Sequence, residues 1–425
     1  MVETTMRHST WLWTFTLIIV ILLTYAPPVN GTPPPSLSTL SSPDYWPTDG
    51  WRASTPEEEG MSSTTLFEME QHIANLPWGQ HVRSVLIIRN GYIVHESYYD
   101  PAYGVDQLAN IYSCTKSVSS VLIGIAIEEG HIGGVNETMV DLFENRTIAN
   151  LDSRKQAVTL QHLLTMQSGI DWDEWPYGPT SSFTYMVDSP DWVQYVLDRP
   201  MRDDPGTVWD YNSGGSHLLS QIINQTVGNT TLAFAEGHLF SPLGISNYQW
   251  EEDPQGVVFG GAWLHLRPRD MAKVGFLYLN NGTWDGDQLI PAAWVNESTS
   301  LFGYPYSESE PYGYGYQWWL NLEINGYLAV GYNGQQINVV PEHNLVVVFT
   351  ANYEDASFAA IMRDYIVASI GDDTPTPIPF PFTLEQILLI SQVLMVVAFI
   401  APFIGLIIHE IWIRKKRGQE ETPAT

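Results

Sequence analysis

The segment Ser113-Cys114-Thr115-Lys116 puts a hydroxyl and an amine three residues apart at the head of an apolar run, 118–127. On a helix, positions three apart share a face, so Ser113 in the first turn and Lys116 would present their side chains to one spot. A serine hydroxyl needs a base to become a nucleophile, and a desolvated lysine can give up its proton where an arginine cannot. The unpaired N–H groups of a helix N-terminus at that spot suit a developing oxyanion. A bare Ser-x-x-Lys is more often a capping serine beside a solvated lysine. Here lysine is scarce: between residues 50 and 370 only Lys116, Lys155 and Lys273 occur, against ten arginines. The chain therefore uses arginine where it merely needs positive charge, and Ser113 and Lys116 are read as nucleophile and general base.

Two further clusters have residue types that could join them. One, Pro205-Gly206-Thr207-Val208-Trp209-Asp210-Tyr211-Asn212-Ser213-Gly214-Gly215-Ser216, precedes a helix expected from His217. The other, Gly331-Tyr332-Asn333-Gly334-Gln335-Gln336, lies between strand-like runs. Alone, each reads as a turn.

These clusters need a scaffold. Residues 117–129 have no breaker but Gly124 and predict a helix buried on nearly every side. Runs 84–89 and 92–98 flank Asn90-Gly91, a tight hairpin signal. Runs 326–330, 336–340 and 345–350 are β-rich, and helical patterns over 160–167 and 217–226 lie between the two strand regions. The fold class expected is α+β: an antiparallel sheet built from both ends of the body, flanked by helices, with an inserted mainly helical subregion.

With these residues in order, the chain resembles the serine β-lactamase and penicillin-binding-protein superfamily, in its class C-like esterase and amide-hydrolase branch. The resemblance runs through Ser113-x-x-Lys116, the 163–169 segment (LLTMQSG), the 205–213 cluster, Pro268-Arg269-Asp270-Met271-Ala272-Lys273, and the Gly334-Gln335 turn. It implies a β-lactamase/transpeptidase-like fold and an acyl-enzyme on Ser113. By the same resemblance Lys116 and Tyr211 share the proton traffic, and the backbone N–H groups of Ser113 and Gln335 form the oxyanion hole. A tyrosine base would depend on Lys116 lying close enough to stabilise its phenolate.

Two departures narrow that chemistry. Where the superfamily's lactamases have Tyr-x-Asn, this chain has Tyr211-Asn212-Ser213, and Ser213 lacks the amide that meets a substrate amide. Where they have Lys-Thr-Gly, it has Tyr332-Asn333-Gly334, without the cation that would hold a substrate carboxylate. Ser213, Tyr332, Gly334 and Gln335 are the expected substrate and oxyanion residues, and the substrate expected is a small-molecule or peptide-like ester or amide without a carboxylate handle. A catalytically silent surface-binding relative and a β-lactamase or D,D-peptidase are the alternatives. His217 is read as a helix-face residue bonded to nearby backbone, or else as facing the cleft. Residues 171–175 (DWDEW) could line the substrate mouth or cap the helical region. The aromatic run 312–319 is read as core or binding wall, and Cys114 as buried packing.

The ends carry a different signal. Residues 1–31 read as a signal peptide or an N-terminal anchor, and 32–49 as a Pro/Ser/Thr-rich linker. The hydrolase body is expected over 50–370, with a Pro-rich linker at 371–386. A transmembrane helix is expected at 387–413, long enough for a bilayer, and a tail at 414–425 opens with Arg414-Lys415-Lys416-Arg417. Basic residues favour the cytoplasmic side, so the body is expected on the extracytoplasmic face of a cell membrane, held by this one helix. Sequons at Asn136, Asn145, Asn224, Asn229, Asn281 and Asn296 agree with that topology. The 18 basic residues face 47 acidic ones for a net charge of −29, which excludes nucleic acid as a partner. The 11 histidines show no metal-ligand spacing, so neither metal nor cofactor is expected. The single cysteine permits no intrachain disulfide, and nothing in the chain bears on oligomeric state.

Overall fold

The computed structural model describes residues 43–371, apart from 308 and 355. The expected hairpin forms from β1 (Val82–Arg89) and β2 (Tyr92–Tyr98). Its turn residues Asn90 and Gly91 have φ of 53° and 90°, left-handed values that Asn and Gly tolerate best. Five strands come from the other end of the body: β3 (Tyr312–Tyr314), β4 (Trp319–Asn321), β5 (Gly326–Gly331), β6 (Gln335–Val340) and β7 (Leu345–Ala351). β1 pairs antiparallel with β7, with Val85 opposite Phe349 and Ile87 opposite Val347. The sheet therefore runs β2-β1-β7-β6-β5-β4-β3, antiparallel throughout.

Every residue of β7 is buried, as a strand covered on both faces must be. The longer helices are α1 (Ser63–Asn75), α2 (Cys114–Glu128), α3 (Ser213–Thr226) and α4 (Pro268–Leu279). α4 lies against β6 and β7. A Cβ at its Gly275 would sit 2.7 Å from Val346 Cγ1 and 2.9 Å from Ile337 Cγ2, so this glycine sets how closely helix and sheet approach. α1 packs on the helical segment 359–369, and Phe358, just ahead of that segment, stacks on Phe349 with ring centroids 4.1 Å apart.

The expected helix after Lys116 is α2, buried from Cys114 to Ala126 between α3 and strands β5 and β6. Gly124 does not break it. A Cβ there would meet three Trp294 ring carbons at 2.5–2.6 Å, so the missing side chain is where the indole fits.

Three boundaries differ from the sequence reading. α3 starts at Ser213 and not His217, because the Asn212 side chain caps it by accepting from Gly215 N at 2.7 Å. The helix expected over 160–167 ends at Leu164, and Met166 follows with φ of 60°. The packed body also begins before residue 50. Tyr45 is buried with its hydroxyl on Gly91 O at 2.6 Å, and Trp46 packs on Phe276 and Trp284. The expected N-terminal segment 1–31, membrane helix 387–413 and tail lie outside the described residues. Among the described residues, no helix is long and apolar enough to cross a membrane.

Candidate active site

The chain enters α2 through a left-handed residue, Tyr112, with φ of 45°. A bulky residue tolerates that conformation only when neighbours hold it. Asn110 Oδ1 accepts from Tyr112 N at 2.9 Å, and Thr115 Oγ1 donates to Tyr112 O at 2.5 Å. Ser113 follows as the N-cap residue, but its side chain makes no capping bond. The capping role is therefore absent and the hydroxyl is left for Lys116, whose Nζ lies 3.1 Å from Ser113 Oγ.

Lys116 is 1 % exposed. Its Nζ also donates to Ser213 Oγ at 2.9 Å and to Gly261 O at 2.7 Å, and lies 4.7 Å from the centroid of the Tyr211 ring. Desolvation disfavours the ammonium and pushes the Lys116 pKa down to about 8, against the opposing pull of Glu174 and Cys114. Such an amine is neutral in part near neutral pH. Tyr211 shifts the other way: burial raises its pKa, Glu174 adds to this, and the Ser113 hydroxyl works against it. The sequence reading had Lys116 stabilising a phenolate. Instead Lys116 meets the face of the Tyr211 ring, and Tyr211 stays a phenol.

Ser213 is 2 % exposed and sits behind Lys116, not on the cavity wall. It leads to a residue whose part in the site the sequence did not indicate. Ser213 Oγ donates to Glu174 Oε1 at 2.5 Å, and Ser213 N to Glu174 Oε2 at 3.1 Å. Glu174, 3 % exposed, also accepts from Trp172 Nε1 at 2.5 Å and from the Tyr177 hydroxyl at 3.0 Å. The only signal was its place in the DWDEW run, read as a mouth or a cap.

Across from Ser113, β5 and β6 end in the Tyr332-Asn333-Gly334 turn. Asn333 and Gly334 are both left-handed, with φ of 60° and 84°. A Cβ on Gly331 would lie 2.2 Å from Ile111 O, and Cys114 Sγ is 3.5 Å from Gln335 O, so the turn that carries Ser113 abuts this end of the sheet. Gln335 is buried at the first position of β6, opposite Gly331. Among the described residues, no acceptor is paired with Ser113 N–H. Tyr332 packs edge-on against Tyr112 and Tyr177.

A cavity of about 580 Å³ opens over Ser113. Trp209, Tyr211, Tyr306 and Trp319 form one side; Trp175, Tyr177 and Tyr332 form the other. Of the aromatic run 312–319, Trp319 reaches the cavity, while Tyr314, Tyr316 and Trp318 are core. Asp173, Glu174, Asp210 and Glu354 also line it, with Arg202 as the cation. Arg202 is engaged by Asp171, Asp173, Asp203 and Asp210, and burial raises the Asp210 pKa to about 6. His217 is fully buried and paired with Asp253 Oδ2 at 3.0 Å, a carboxylate and not the backbone partner expected. Cys114 is buried, and desolvation raises its thiol pKa, which suits packing and not nucleophilicity.

Residues 69–371 match the family model described as Beta-lactamase. The 6-aminohexanoate-dimer hydrolase of Paenarthrobacter ureafaciens is 23% identical over 325 residues, spanning 69% of this chain and 77% of that protein. Among solved structures, a Bacillus anthracis protein assigned to the 6-aminohexanoate-dimer hydrolases aligns with a TM-score of 0.62 at 19% identity, over 78% of this chain and 89% of its own. A family VIII carboxylesterase aligns with a TM-score of 0.56 at 18% identity, over 70% and 94%. At such identities the structural likeness speaks for the fold.

Proposed function

The chain is a serine hydrolase of the Beta-lactamase family, and on that premise we propose that it cleaves an ester or amide through an acyl-enzyme on Ser113, outside the cytoplasm and tethered to a membrane. The observation that carries the chemistry is the water-excluded Lys116 amine, 3.1 Å from Ser113 Oγ with its pKa lowered to about 8. Neutral Lys116 takes the Ser113 proton as Oγ bonds to the substrate carbonyl carbon. The carbonyl oxygen takes the negative charge and is met by the Ser113 and Gln335 N–H groups. On collapse, the bond to the leaving group breaks and the Lys116 ammonium returns to that group the proton it took from Ser113, while the Tyr211 phenol stays protonated and donates a hydrogen bond at the reacting oxygen. Water then releases the acid and returns a proton to Ser113.

The cavity favours a substrate without a carboxylate. Its arginine is already engaged by four aspartates, and Tyr332 stands where the superfamily's lactamases carry a lysine. Aromatic walls on both sides suit an apolar or aromatic acyl or leaving group. The test is covalent labelling by a fluorophosphonate, present in wild type and lost in Ser113→Ala. A wild-type protein that neither labels nor turns over any activated ester refutes the proposal.

For the tether, support comes from the apolar length of 387–413 with basic residues directly after it, and from the exposure of Asn136, Asn145, Asn229 and Asn296. Expressed in eukaryotic cells, the full chain is expected to stay with membranes in alkaline carbonate and to lose mass on glycosidase treatment. Release into the carbonate supernatant with unchanged mass refutes this part.

A further inference from the structure

Take Ser113 and Lys116 as nucleophile and base, the reading proposed above. A neutral amine then has two protons to donate and one lone pair, and works as a base only if that lone pair faces Ser113. Lys116 Nζ has three oxygen neighbours: Gly261 O at 2.7 Å, Ser213 Oγ at 2.9 Å and Ser113 Oγ at 3.1 Å. Gly261 O is a carbonyl and can only accept, so one amine proton is committed. Ser213 Oγ has a single proton, and at 2.5 Å from Glu174 Oε1 that proton is given to the carboxylate. Toward Lys116 the Ser213 hydroxyl can then only accept, which commits the second amine proton. What remains for Ser113 is the lone pair.

Glu174 is itself held in place. Trp172 Nε1 and Ser213 N converge on Oε2, and the Tyr177 hydroxyl joins Ser213 Oγ on Oε1. The indole and the backbone amide can only donate, so the carboxylate serves as a four-fold acceptor. We propose that Glu174 is a positioning residue that acts through Ser213 to aim the Lys116 lone pair at the Ser113 hydroxyl. Without it the Ser213 hydroxyl could turn its proton to Lys116, and the lone pair would be spent there.

The titratable groups facing Lys116 are Cys114 on its own helix, Tyr211 ahead of α3, and Glu174 from the 171–178 loop; the segment at Gly261 contributes only its carbonyl. Glu174 favours the ammonium, so Glu174→Gln moves the Lys116 titration to lower pH. The experiment is kcat and KM for p-nitrophenyl acetate between pH 6 and 10, for wild type, Glu174→Gln and Ser213→Ala, with thermal unfolding alongside. Expected is an acid limb displaced to lower pH in Glu174→Gln. In both variants the high-pH plateau of kcat should fall roughly 10- to 100-fold, with KM nearly unchanged. If Glu174→Gln does not fold, Ser213→Ala carries the test, since three donors to Glu174 apart from the lost hydroxyl remain. A lower melting temperature with wild-type kcat and an unmoved limb makes Glu174 merely structural and overturns the proposal. Absence of wild-type turnover is a distinct result, which refutes the hydrolase reading beneath it.

Discussion

Lys116→Met tests whether Lys116, the proposed base, is buried as an amine of lowered pKa. The pKa falls from the ordinary 10.5 to about 8 on folding, and the side chain is 1 % exposed. Keeping it charged in the folded state therefore costs about 3 kcal/mol at pH 7. The unfolded chain holds this proton up to pH 10.5, whereas the folded chain releases it from pH 8. Between those values the unfolded state binds more protons, so stability rises with pH; the gain is complete above 10.5 and lost as pH falls through 8. From pH 7 to pH 10 wild type should gain about 2.5 kcal/mol relative to the methionine variant. Methionine also strands Gly261 O and leaves Ser213 Oγ one donor short, an offset of about 1–3 kcal/mol that does not vary with pH. The ionising tyrosines cancel in the difference. Denaturant unfolding of both proteins in detergent, followed by tryptophan fluorescence at pH 7, 8.5 and 10, gives the comparison. A difference that stays flat across this range refutes the reasoning, and so does an acid limb of kcat/KM that is not centred near the pH where the difference begins to change.

Ser113→Ala should lower ester hydrolysis roughly 10⁴-fold or more while leaving the melting temperature near wild type, checked by steady-state assay and calorimetry. Lys155→Met should destabilise the fold, because Lys155 Nζ donates to Ala149 O, Leu197 O and Arg199 O, yet leave the pH limb of activity in place. Gly124→Ala should lose about 1–2 kcal/mol by denaturant titration: the clash with Trp294 outweighs the gain in helix propensity. A chromogenic cephalosporin should turn over far more slowly than p-nitrophenyl acetate, since among the described residues of the cavity the cation, Arg202, is already engaged by aspartates and is not left for its carboxylate.

Local signals survived into the structure where local physics decides them. Asn90-Gly91 makes its turn because those two residues accept left-handed backbone, and α2 is buried because 118–127 are apolar on nearly every side. The scarcity of lysine goes with burial of the cation. All three body lysines are buried, but Lys155 and Lys273 hold backbone carbonyls, and only Lys116 meets hydroxyls. What sets Lys116 apart is its hydroxyl partners, which come from distant segments and so could not be read from the scarcity itself. Glu174 was hidden for the same reason, since its link to Lys116 runs through Ser213, 39 residues on, and depends on how two loops meet. The resemblance makes Ser213 a substrate contact, since it holds the third position of the Tyr211-Asn212-Ser213 motif. The N-cap at Asn212 turns it inward instead.

The pairing of β1 with β7 also sets a schedule. Ser84 Oγ and Thr350 Oγ1 lie 2.6 Å apart across the sheet, although 266 residues separate them in the chain. At synthesis rates of roughly 5–20 residues per second, β1 waits on the order of 10–50 s for its partner to be made. During that wait the β1–β2 hairpin has one unpaired edge, carrying Val85, Leu86, Ile87 and Ile88, the kind of surface that aggregates or recruits chaperones. The backing of Ser113 by β5 and β6 also comes from this late-made half. A nascent chain short of residue 351 thus has Ser113 and Lys116, the proposed nucleophile and base, but no completed sheet to assemble them against, so hydrolytic activity should appear abruptly with completion of the body and not accumulate as it is made.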